Sequence, residues 1–410
     1  MQGSNEYLKV AIAGAGFAGL ATAVLLARQG HDVTVFDKFT EPQSVGAGVL
    51  VQPTGIAAMR VLGIADEVLQ RGARIERLRG VTRRGWPVVN LHYEHWQLGA
   101  FGLGLHRGVL FNALWKAARL HGVTIVTGQE VKDLAELHAR HDLVVVADGC
   151  RSSLRCQTGL ASTDRVYPWG AVWAILDDPA GEHGSTLWQW YRGAGQMLGI
   201  MPTGKAPGSN DPVVSLFWSL PARGHEAFRG AGLESFKAQV RALHPGCDSL
   251  LAQIDSMDQL TWTRYHDVVM PAYHTDRCVV IGDAAHATSP QLGQGTNLAL
   301  LDAIALAECI AKAPELPVAL ECYTQLRREH LHFYADASRR LTPLFQSELK
   351  LLPWLRDLFM NLSTKLPVAG TLIRDVLVGV RQGWFKKPAL ALPQVRPPAA
   401  GQARHGSPPG

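Results

Sequence analysis

The chain has 410 residues, of which 47% are hydrophobic and 18% charged. This length favours two closely associated domains over a single core, and the composition excludes disorder of the whole chain. The net charge of +5 includes four charges in the tail 386–410, so the remaining body is nearly neutral. Such a body lacks the broad basic face that nucleic-acid binding requires, and we expect no nucleic-acid partner.

The six cysteines are scattered without C-x-x-C or paired metal-ligand spacing, and no cleavable leader precedes them. This pattern predicts a reducing, cytoplasmic setting. The histidine pairs in "HYEH" and "HARH" have no cysteine or acidic partner at zinc-site spacing, so the sequence predicts no metal site.

Residues 8–37 are predicted to form a strand, a helix and a second strand, written "LKVAIAG", "FAGLATAVLLARQG" and "HDVTVFD". A helix-rich stretch follows, including "PTGIAAMRVLGIADEVLQRG" and a helix over 106–122. After the strand "VTIVTG", the apolar run "HDLVVVADG" has the pattern of an interior strand in a largely parallel sheet. The amino-terminal part therefore predicts a Rossmann-like unit.

The character changes at about residue 155, where alternating, aromatic-rich segments separated by Gly, Pro and Asn predict an antiparallel sheet. The parallel pattern resumes at 277 with "RCVVIG", followed by helices. The predicted fold is α/β, with a discontinuous Rossmann-like nucleotide-binding domain and its C-terminal helices over 1–154 and 277–385. The antiparallel substrate domain covers 155–276, and the proline-dense segment 386–410 is predicted to be a disordered tail.

The turn "AGAGFAGL" follows the first strand and opens the first helix. In this context Gly14 allows a tight turn, Gly16 lets the backbone approach a pyrophosphate, and Gly19 permits close helix packing. Ala18 lies in the same turn, and the start of the helix offers N–H groups to negative charge. Asp37, at the end of the second strand, can accept bonds from ribose hydroxyls and would repel a 2′-phosphate. The predicted dinucleotide is therefore FAD or NAD rather than NADP.

Three further segments resemble the single-component, FAD-dependent aromatic hydroxylases, the class A flavoprotein monooxygenases with the para-hydroxybenzoate hydroxylase fold. "DLVVVADGCRSSLR" is similar to their Asp-Gly motif, with Asp148 and Gly149 in place. "RCVVIGDAAHATSPQLGQGTNLALLDA" is similar to their Gly-Asp motif, and "LHRGVLFNAL" to their arginine helix. The resemblance spans residues 8 to about 310.

The resemblance implies that a second glycine-rich loop holds the far end of FAD. Asp283 would accept a ribityl hydroxyl, Pro290 would fix the loop, and the helix starting near Gly293 would face the edge of the flavin where negative charge accumulates. Arg107 would lie near the ribityl and phosphate groups. The predicted cofactor-binding residues are Gly14, Gly16, Ala18, Gly19, Asp37, Arg107, Asp148, Gly149, Asp283, Pro290, Gly293, Gly295 and Asn297.

The implied activity is hydroxylation of an apolar, aromatic substrate through a flavin C4a-hydroperoxide, with NAD(P)H as a transient reductant and O2 as oxidant. No catalytic acid–base pair stands out, so no catalytic residue is assigned, and His286 is expected to be a packed, hydrogen-bonded histidine. The segment from Leu187 to Arg192 is the leading substrate-side candidate, but the sequence does not say which of its faces meets the flavin. The segment "VGAGVLVQP" resembles the flavin-proximal glycine loop of the family. Its Val45 occupies a region where some members carry a charged residue, which leaves the handling of the nicotinamide open.

Three alternatives remain at this point. An isoprenoid-type reductase shares the FAD fold, and the apolar segment 351–380 is compatible with membrane or lipid contact, although helices packing on the core are the first interpretation. "WQW" is similar to a halogenase signature, but Tyr191 and Arg192 do not continue that pattern. The third alternative is a non-catalytic flavin-binding module.

Overall fold

The computed structural model describes residues 7–41, 48–349, 352, 354, 356–357 and 367–384. The predicted tail 386–410 and Val45 lie outside the described residues. The strands are β1 (Lys9–Ala13), β2 (Asp32–Phe36), β3 (Gly48–Val51), β4 (Ala73–Ile75), β5 (Arg77–Thr82), β6 (Pro87–His92), β7 (Gly102–His106), β8 (Thr124–Val126), β9 (Leu143–Val146), β10 (Thr163–Asp177), β11 (Thr186–Arg192), β12 (Gln196–Lys205), β13 (Pro212–Pro221), β14 (Thr261–Val269) and β15 (Cys278–Val280).

The helices are α1 (Phe17–Arg28), α2 (Pro53–Leu62), α3 (Ala65–Leu69), α4 (Arg107–Leu120), α5 (Leu134–His138), α6 (Leu154–Gln157), α7 (His225–Leu243), α8 (Asp248–Leu251), α9 (Asp283–His286), α10 (Gly295–Lys312), α11 (Leu316–Phe345) and α12 (Pro367–Val378). None of the helices in the described ranges has the length and apolar content needed to cross a bilayer.

A five-stranded sheet in the order β15-β9-β1-β2-β8 forms the centre of the first layer, and its neighbouring strands are parallel. The inner strands consist of apolar residues because helices cover both faces of such a sheet: β9 is buried along its whole length. The chain leaves this sheet after β9 and returns to it at β15. The predicted α/β class with a discontinuous Rossmann-like domain is thereby confirmed.

The second layer is a seven-stranded sheet in the order β14-β10-β13-β12-β11-β5-β6. All its neighbouring strands are antiparallel except β11 and β5. The predicted range 155–276 supplies β10 to β14. The strands β5 and β6 come from 77–92, a stretch that the sequence placed in the first domain.

The two faces of this sheet have different neighbours because side chains alternate along each strand. On the outer face, Leu198, Leu216 and Trp218 form a core with α7 and α8. On the inner face, Tyr191 and Phe217 form a core with the end of α11. The inner face is therefore the one that faces the parallel-sheet layer and the C-terminal helices.

A short sheet of β3, β7 and β4 joins the two layers. A Cβ atom at Gly104 in β7 would lie 1.9 Å from the carbonyl oxygen of Pro202 in β12, so only glycine lets these backbones meet. The backbone N–H of Gly48 donates to Ser215 Oγ at 3.0 Å, and Ser215 Oγ is 2.7 Å from Thr203 Oγ1. These contacts fix the inner face of the second sheet relative to the first layer.

Candidate functional site

The two glycine-rich loops meet at the carboxyl edge of the parallel sheet. Strands β15, β9 and β1 are neighbours, so the residues that follow them lie side by side. A Cβ at Gly282, after β15, would lie 2.7 Å from the Cβ of Ala18 in the first turn of α1. One at Gly14, after β1, would lie 2.4 Å from the carbonyl oxygen of Ala147. Loops that are far apart in the sequence thus border one region, as their predicted common ligand requires.

The three glycines of the first loop have different surroundings. A Cβ at Gly14 or Gly19 would clash with backbone, since a Cβ at Gly19 would lie 2.0 Å from the carbonyl oxygen of Gly14. Gly16 differs, because a Cβ there would meet no atom of the described residues within 4 Å. Gly16 is also the residue before α1, and no side chain in the described chain caps that helix start. Gly14 and Gly19 are needed by the fold, and Gly16 leaves open space at a helix N-terminus.

Asp37 follows β2 and holds the first loop in place. Its Oδ2 accepts the backbone N–H of Ala15 at 2.8 Å, and its Oδ1 accepts that of Phe39 at 2.9 Å. A carboxylate oxygen has further acceptor capacity, so these bonds leave room for a hydroxyl donor. Asp37 therefore positions the turn while staying beside the space over Gly16.

Arg107 begins α4 and reaches both loops. Its guanidinium lies 5.0 Å from the ring centroid of Phe17, the first residue of α1. Burial lowers the pKa of Arg107, and the nearby charge of Asp283 opposes that effect. The site thus contains a mostly desolvated cation between the two glycine-rich loops.

Asp148 and Gly149 follow β9 at the same edge. Oδ1 of Asp148 is buried and has no hydrogen-bond partner among the described residues, and burial raises the pKa of this carboxyl group. Gly149 has φ +87°, and a Cβ there would meet nothing within 4 Å. A buried acceptor without a partner beside open space is the feature expected where a ligand donates a hydrogen bond.

Arg155 connects this segment to the second loop. Its buried side chain donates from Nη1 to the carbonyl oxygen of Ala284 at 2.8 Å, and Nη2 lies 2.5 Å from Oδ2 of Asp164 on β10. The same residue therefore joins the segment after β9, the segment after β15 and the antiparallel sheet.

A buried ionic cluster anchors the start of the second loop. Oδ2 of Asp302 accepts the backbone N–H of Gly282 at 3.0 Å and lies 2.5 Å from Nε2 of His286. Oδ1 of Asp302 accepts Nε–H of Arg327 on α11 at 2.8 Å. His286 is hydrogen-bonded within the protein, as the sequence predicted. Asp283 is exposed at the start of α9, so its carboxylate faces the open region.

The second loop continues to the start of α10. Pro290 and Gly295 are exposed, and Gly293 has φ +61°, which favours glycine. Asn297 is fully buried: its Oδ1 accepts the backbone N–H of Gln52 at 2.8 Å, and its Nδ2 donates to the carbonyl oxygen of Gly293 at 2.9 Å. The side chain of Asn297 therefore positions the loop and is not available to a ligand, whereas no side chain in the described chain caps α10.

Gln52 is a site residue that the sequence analysis missed. It precedes α2, a helix that begins with Pro53 and ends at Gly63 with φ +76°. Its Oε1 accepts the hydroxyl of Tyr93 at 2.7 Å, while its Nε2 is buried and has no partner among the described residues. That nitrogen lies 3.8 Å from the position of a Cβ on Gly293. The only signal in the sequence is its place in "VGAGVLVQP", which resembles the flavin-proximal loop of the family.

The inner face of the antiparallel sheet approaches the second loop. The backbone N–H of Val268 in β14 donates to the carbonyl oxygen of Ala287 at 2.8 Å, next to α9. From the other side, Ser289 Oγ is 2.8 Å from Thr342 Oγ1 near the end of α11, whose Phe345 ring lies 5.6 Å from the ring of Tyr191. The loop, the end of α11 and the inner face therefore border a common region.

The inner face carries aromatic and polar groups, and the buried guanidinium of Arg356 lies against its Tyr191 ring while paired with Asp357. The rings of Trp173 and Phe217 are 5.0 Å apart, and a Cβ at Gly199 would lie 1.9 Å from the Phe217 ring, so this ring rests on a glycine. The hydroxyl of Tyr265 in β14 is buried without a geometrically acceptable partner in the described chain, and burial raises the pKa of this phenol well above its usual value. Tyr265 is a second residue that the sequence analysis missed.

The structure resolves which face of β11 meets this region. Leu187 and Tyr191 belong to inner-face clusters. Trp188 and Trp190 stack on each other at 5.6 Å on the opposite face, and Trp190 stacks on His244 at 4.0 Å. The two tryptophans of "WQW" therefore point away from the second loop.

Comparisons with known proteins agree with this geometry. The sequence model of the FAD binding domain family matches residues 7–332. The chain is 28% identical to aurachin C monooxygenase/isomerase of Stigmatella aurantiaca over 388 residues, which cover 87% of this chain and 94% of that protein. It is 28% identical to FAD-dependent urate hydroxylase of Mycolicibacterium vanbaalenii over 345 residues, 78% of this chain and 85% of that protein.

Among solved structures, that of Klebsiella pneumoniae HpxO complexed with FAD and uric acid superposes with a TM-score of 0.75. The sequence identity is 21%, and the match covers 92% of this chain and 98% of that one. At this level of identity the likeness concerns the fold.

Proposed function

This chain belongs to the FAD binding domain family of aromatic hydroxylases and is an FAD-dependent monooxygenase, and we propose that its substrate is a flat, uncharged aromatic molecule. The substrate would lie between the inner face of the antiparallel sheet and the loop 290–295. The observation that carries this proposal is the convergence of both glycine-rich loops and that inner face on one region.

The described residues fit FAD. The uncapped start of α1 and the open space over Gly16 suit the diphosphate, and Asp37 suits the adenosine ribose. Arg107 and the unpartnered Oδ1 of Asp148 suit the phosphate and ribityl groups between the two loops. We assign the flavin ring to the uncapped start of α10, where Gly295 lets backbone N–H groups approach.

When bound, FAD supplies the redox chemistry, taking a hydride from NAD(P)H and passing electrons to O2. The start of α10 would hold the flavin ring, and its N–H groups would stabilise the negative charge of the reduced ring, a role that needs no general base. The buried Nε2 of Gln52, beside Gly293, offers one further donor to the same loop. These groups act by orientation and electrostatic stabilisation.

The substrate class follows from the inner face. Trp173, Phe217 and Tyr191 provide ring surfaces, and the Tyr265 hydroxyl is buried near Trp173 without a well-aligned hydrogen bond among the described residues. None of these side chains is charged at neutral pH, and the guanidinium of Arg356, which lies 4.9 Å from the Tyr191 ring, is already paired with Asp357. A substrate carboxylate placed among these rings would therefore be desolvated beside a cation that already has a partner. A phenol or hydroxylated heteroaromatic ring would satisfy the Tyr265 hydroxyl and bury its own apolar surface.

Protein contacts close two sides of this region. Ser289 Oγ is bonded to Ser338 and Thr342 of α11, so the loop is closed against that helix. The core formed by Phe217, Tyr191 and Phe345 closes the neighbouring side. Exclusion of water favours oxygen transfer over unproductive release of hydrogen peroxide.

The alternative activities are not favoured. Trp188 and Trp190, which suggested a halogenase, stack on the outer face beside His244. The relatives named above are a monooxygenase and a hydroxylase, which disfavours the reductase and the non-catalytic module.

The test is a turnover assay on the purified, FAD-loaded protein. Consumption of NAD(P)H and O2 would be followed with neutral phenols and hydroxyquinolines and with matched compounds that carry a carboxylate. We expect both consumptions to be stimulated by the neutral compounds, with label from isotopic O2 in the product. Reductant use without O2 uptake, or a preference for the carboxylated compounds, would overturn the proposal.

A further inference from the structure

Two cysteines lie side by side where α10 and α11 pack together. Sγ of Cys309 and Sγ of Cys322 are 3.0 Å apart, and both are unbridged thiols. Cys309 is buried near the C-terminal end of α10, and Cys322 is exposed on α11. The pair combines a thiol that solvent reaches with a thiol shielded behind it.

We propose that Cys309 and Cys322 are a peroxide-sensitive pair that closes to an intramolecular disulfide between α10 and α11. A disulfide has an S–S distance of about 2.05 Å, so the two sulfur atoms need to approach by about 1 Å. The helices that carry them are already held together by the bond between Asp302 and Arg327. The gap to close is therefore small, and the two helices already contact each other.

The order of reaction follows from exposure. The Cys322 thiolate attacks one oxygen of H2O2, so an S–O bond forms, the O–O bond breaks and hydroxide leaves to become water. The Cys309 sulfur then attacks the Cys322 sulfur; the S–S bond forms, the S–O bond breaks, and the oxygen leaves as water with the Cys309 proton. Two thiols lose two electrons and two protons, and one peroxide becomes two waters.

The protonation of Cys309 agrees with this order. Burial is the main cause, and the hydrogen bond with Cys322 the second, that raises the pKa of Cys309 to about 12. Cys309 therefore stays protonated and is poorly suited to the first attack. The exposed Cys322 is the thiol that meets the oxidant.

Hydrogen peroxide is also the product that the proposed flavin chemistry releases when no substrate is oxygenated, and this source of oxidant rests on the proposed function. The reactivity of the pair towards added peroxide does not depend on the proposed function. The disulfide would close a loop between cysteines thirteen positions apart and would join α11 covalently to the helix whose start forms the second glycine-rich loop.

The experiment exposes the FAD-loaded, full-length protein to added H2O2 without NAD(P)H or substrate, then alkylates free thiols and maps them by mass spectrometry. We expect a linked pair of peptides containing Cys309 and Cys322, and a reversible rise in Tm on oxidation. The variant Cys322→Ser should lose the linkage and the rise in Tm while its Cys309 stays a thiol. Cys156→Ser, which removes another exposed thiol, should keep both effects.

The proposal is overturned if Cys309 and Cys322 remain free under conditions that oxidise Cys156, or if Cys322 is linked to a different cysteine. Because the oxidant is added and no turnover is needed, either failure leaves the proposed oxygenase function untouched. Equally, an inactive enzyme that still forms the disulfide would contradict only the proposed function.

Discussion

Replacement of Gly16 by alanine tests whether this glycine is needed for FAD binding rather than for folding. Gly16 has φ −75° and ψ −175°, which alanine adopts freely, and a Cβ there meets no protein atom within 4 Å. Gly16→Ala should therefore fold normally, with a free energy of unfolding that is unchanged or raised by up to about 1 kcal/mol.

The substitution should instead weaken the binding of FAD. If the FAD diphosphate rests against this backbone, an added methyl group intrudes into a filled contact, and such overpacking costs about 1–3 kcal/mol. The dissociation constant for FAD should then rise roughly 5- to 150-fold. Titration of the apoprotein with FAD, followed by flavin fluorescence, measures this change, and chemical denaturation measures the stability.

Two variants bracket the result. Gly230→Ala in α7 also places its Cβ in open space, so it should leave FAD affinity unchanged and raise the free energy of unfolding by at most about 1 kcal/mol. Gly14→Ala places its Cβ 2.4 Å from the Ala147 carbonyl oxygen at φ +107°, so it should destabilise the fold itself. Wild-type FAD affinity in Gly16→Ala, with full stability, would refute the assignment of the diphosphate to this turn.

Three further predictions follow from the site. Burial alone would raise the pKa of Asp302, but the charges of His286 and Arg327 outweigh burial and lower this pKa from 3.8 to about 2. The ionised carboxylate therefore adds roughly 2–3 kcal/mol of stability above about pH 4, which is lost as the pH falls towards 2. Urea unfolding at different pH values measures this loss, and Asp302→Asn should not show it. Tyr265→Phe removes an unpartnered hydroxyl, so Tm should be unchanged or higher while KM for a phenolic substrate rises roughly tenfold; an unchanged KM would exclude Tyr265 from substrate binding. Arg107→Met should weaken FAD roughly tenfold or more in the same titration, with little effect expected if Arg107 only packs on Phe17.

The parts of the fold that the sequence predicted are those with local signals. The turn at Gly14, the run of "LVVV" in β9 and the helix after Arg107 each depend on a few consecutive residues. The shared site of the segments around Asp148 and Asp283 was implied by the resemblance to the family, and the structure explains their meeting because parallel strands place their carboxyl ends at one edge. Their roles in binding FAD remain predictions.

The remaining features depend on pairings that no local pattern encodes. β5 joins β11 in parallel across more than 100 residues, although its own residues fit either domain. The alternation of β11 predicts two faces, but which face meets the loop depends on α7 covering the side of Trp190. Gln52 and Tyr265 are notable only because a buried polar atom of each makes no well-aligned hydrogen bond within the described ranges, and burial of single atoms is not readable from sequence.

The interrupted course of the parallel sheet has a consequence for how the chain is made. One edge of β9 pairs with β1, in a register that places Val10 opposite Leu143. The other edge pairs with β15, which places Val144 opposite Cys278 and is made much later in the chain. During synthesis, β9 therefore presents an unpaired apolar edge while the whole antiparallel layer emerges. Such an edge is prone to mispairing with other chains, and the long separation slows closure. Truncations before β15 should consequently aggregate, and expression at low temperature, where synthesis and self-association are slower, should improve the yield of folded protein.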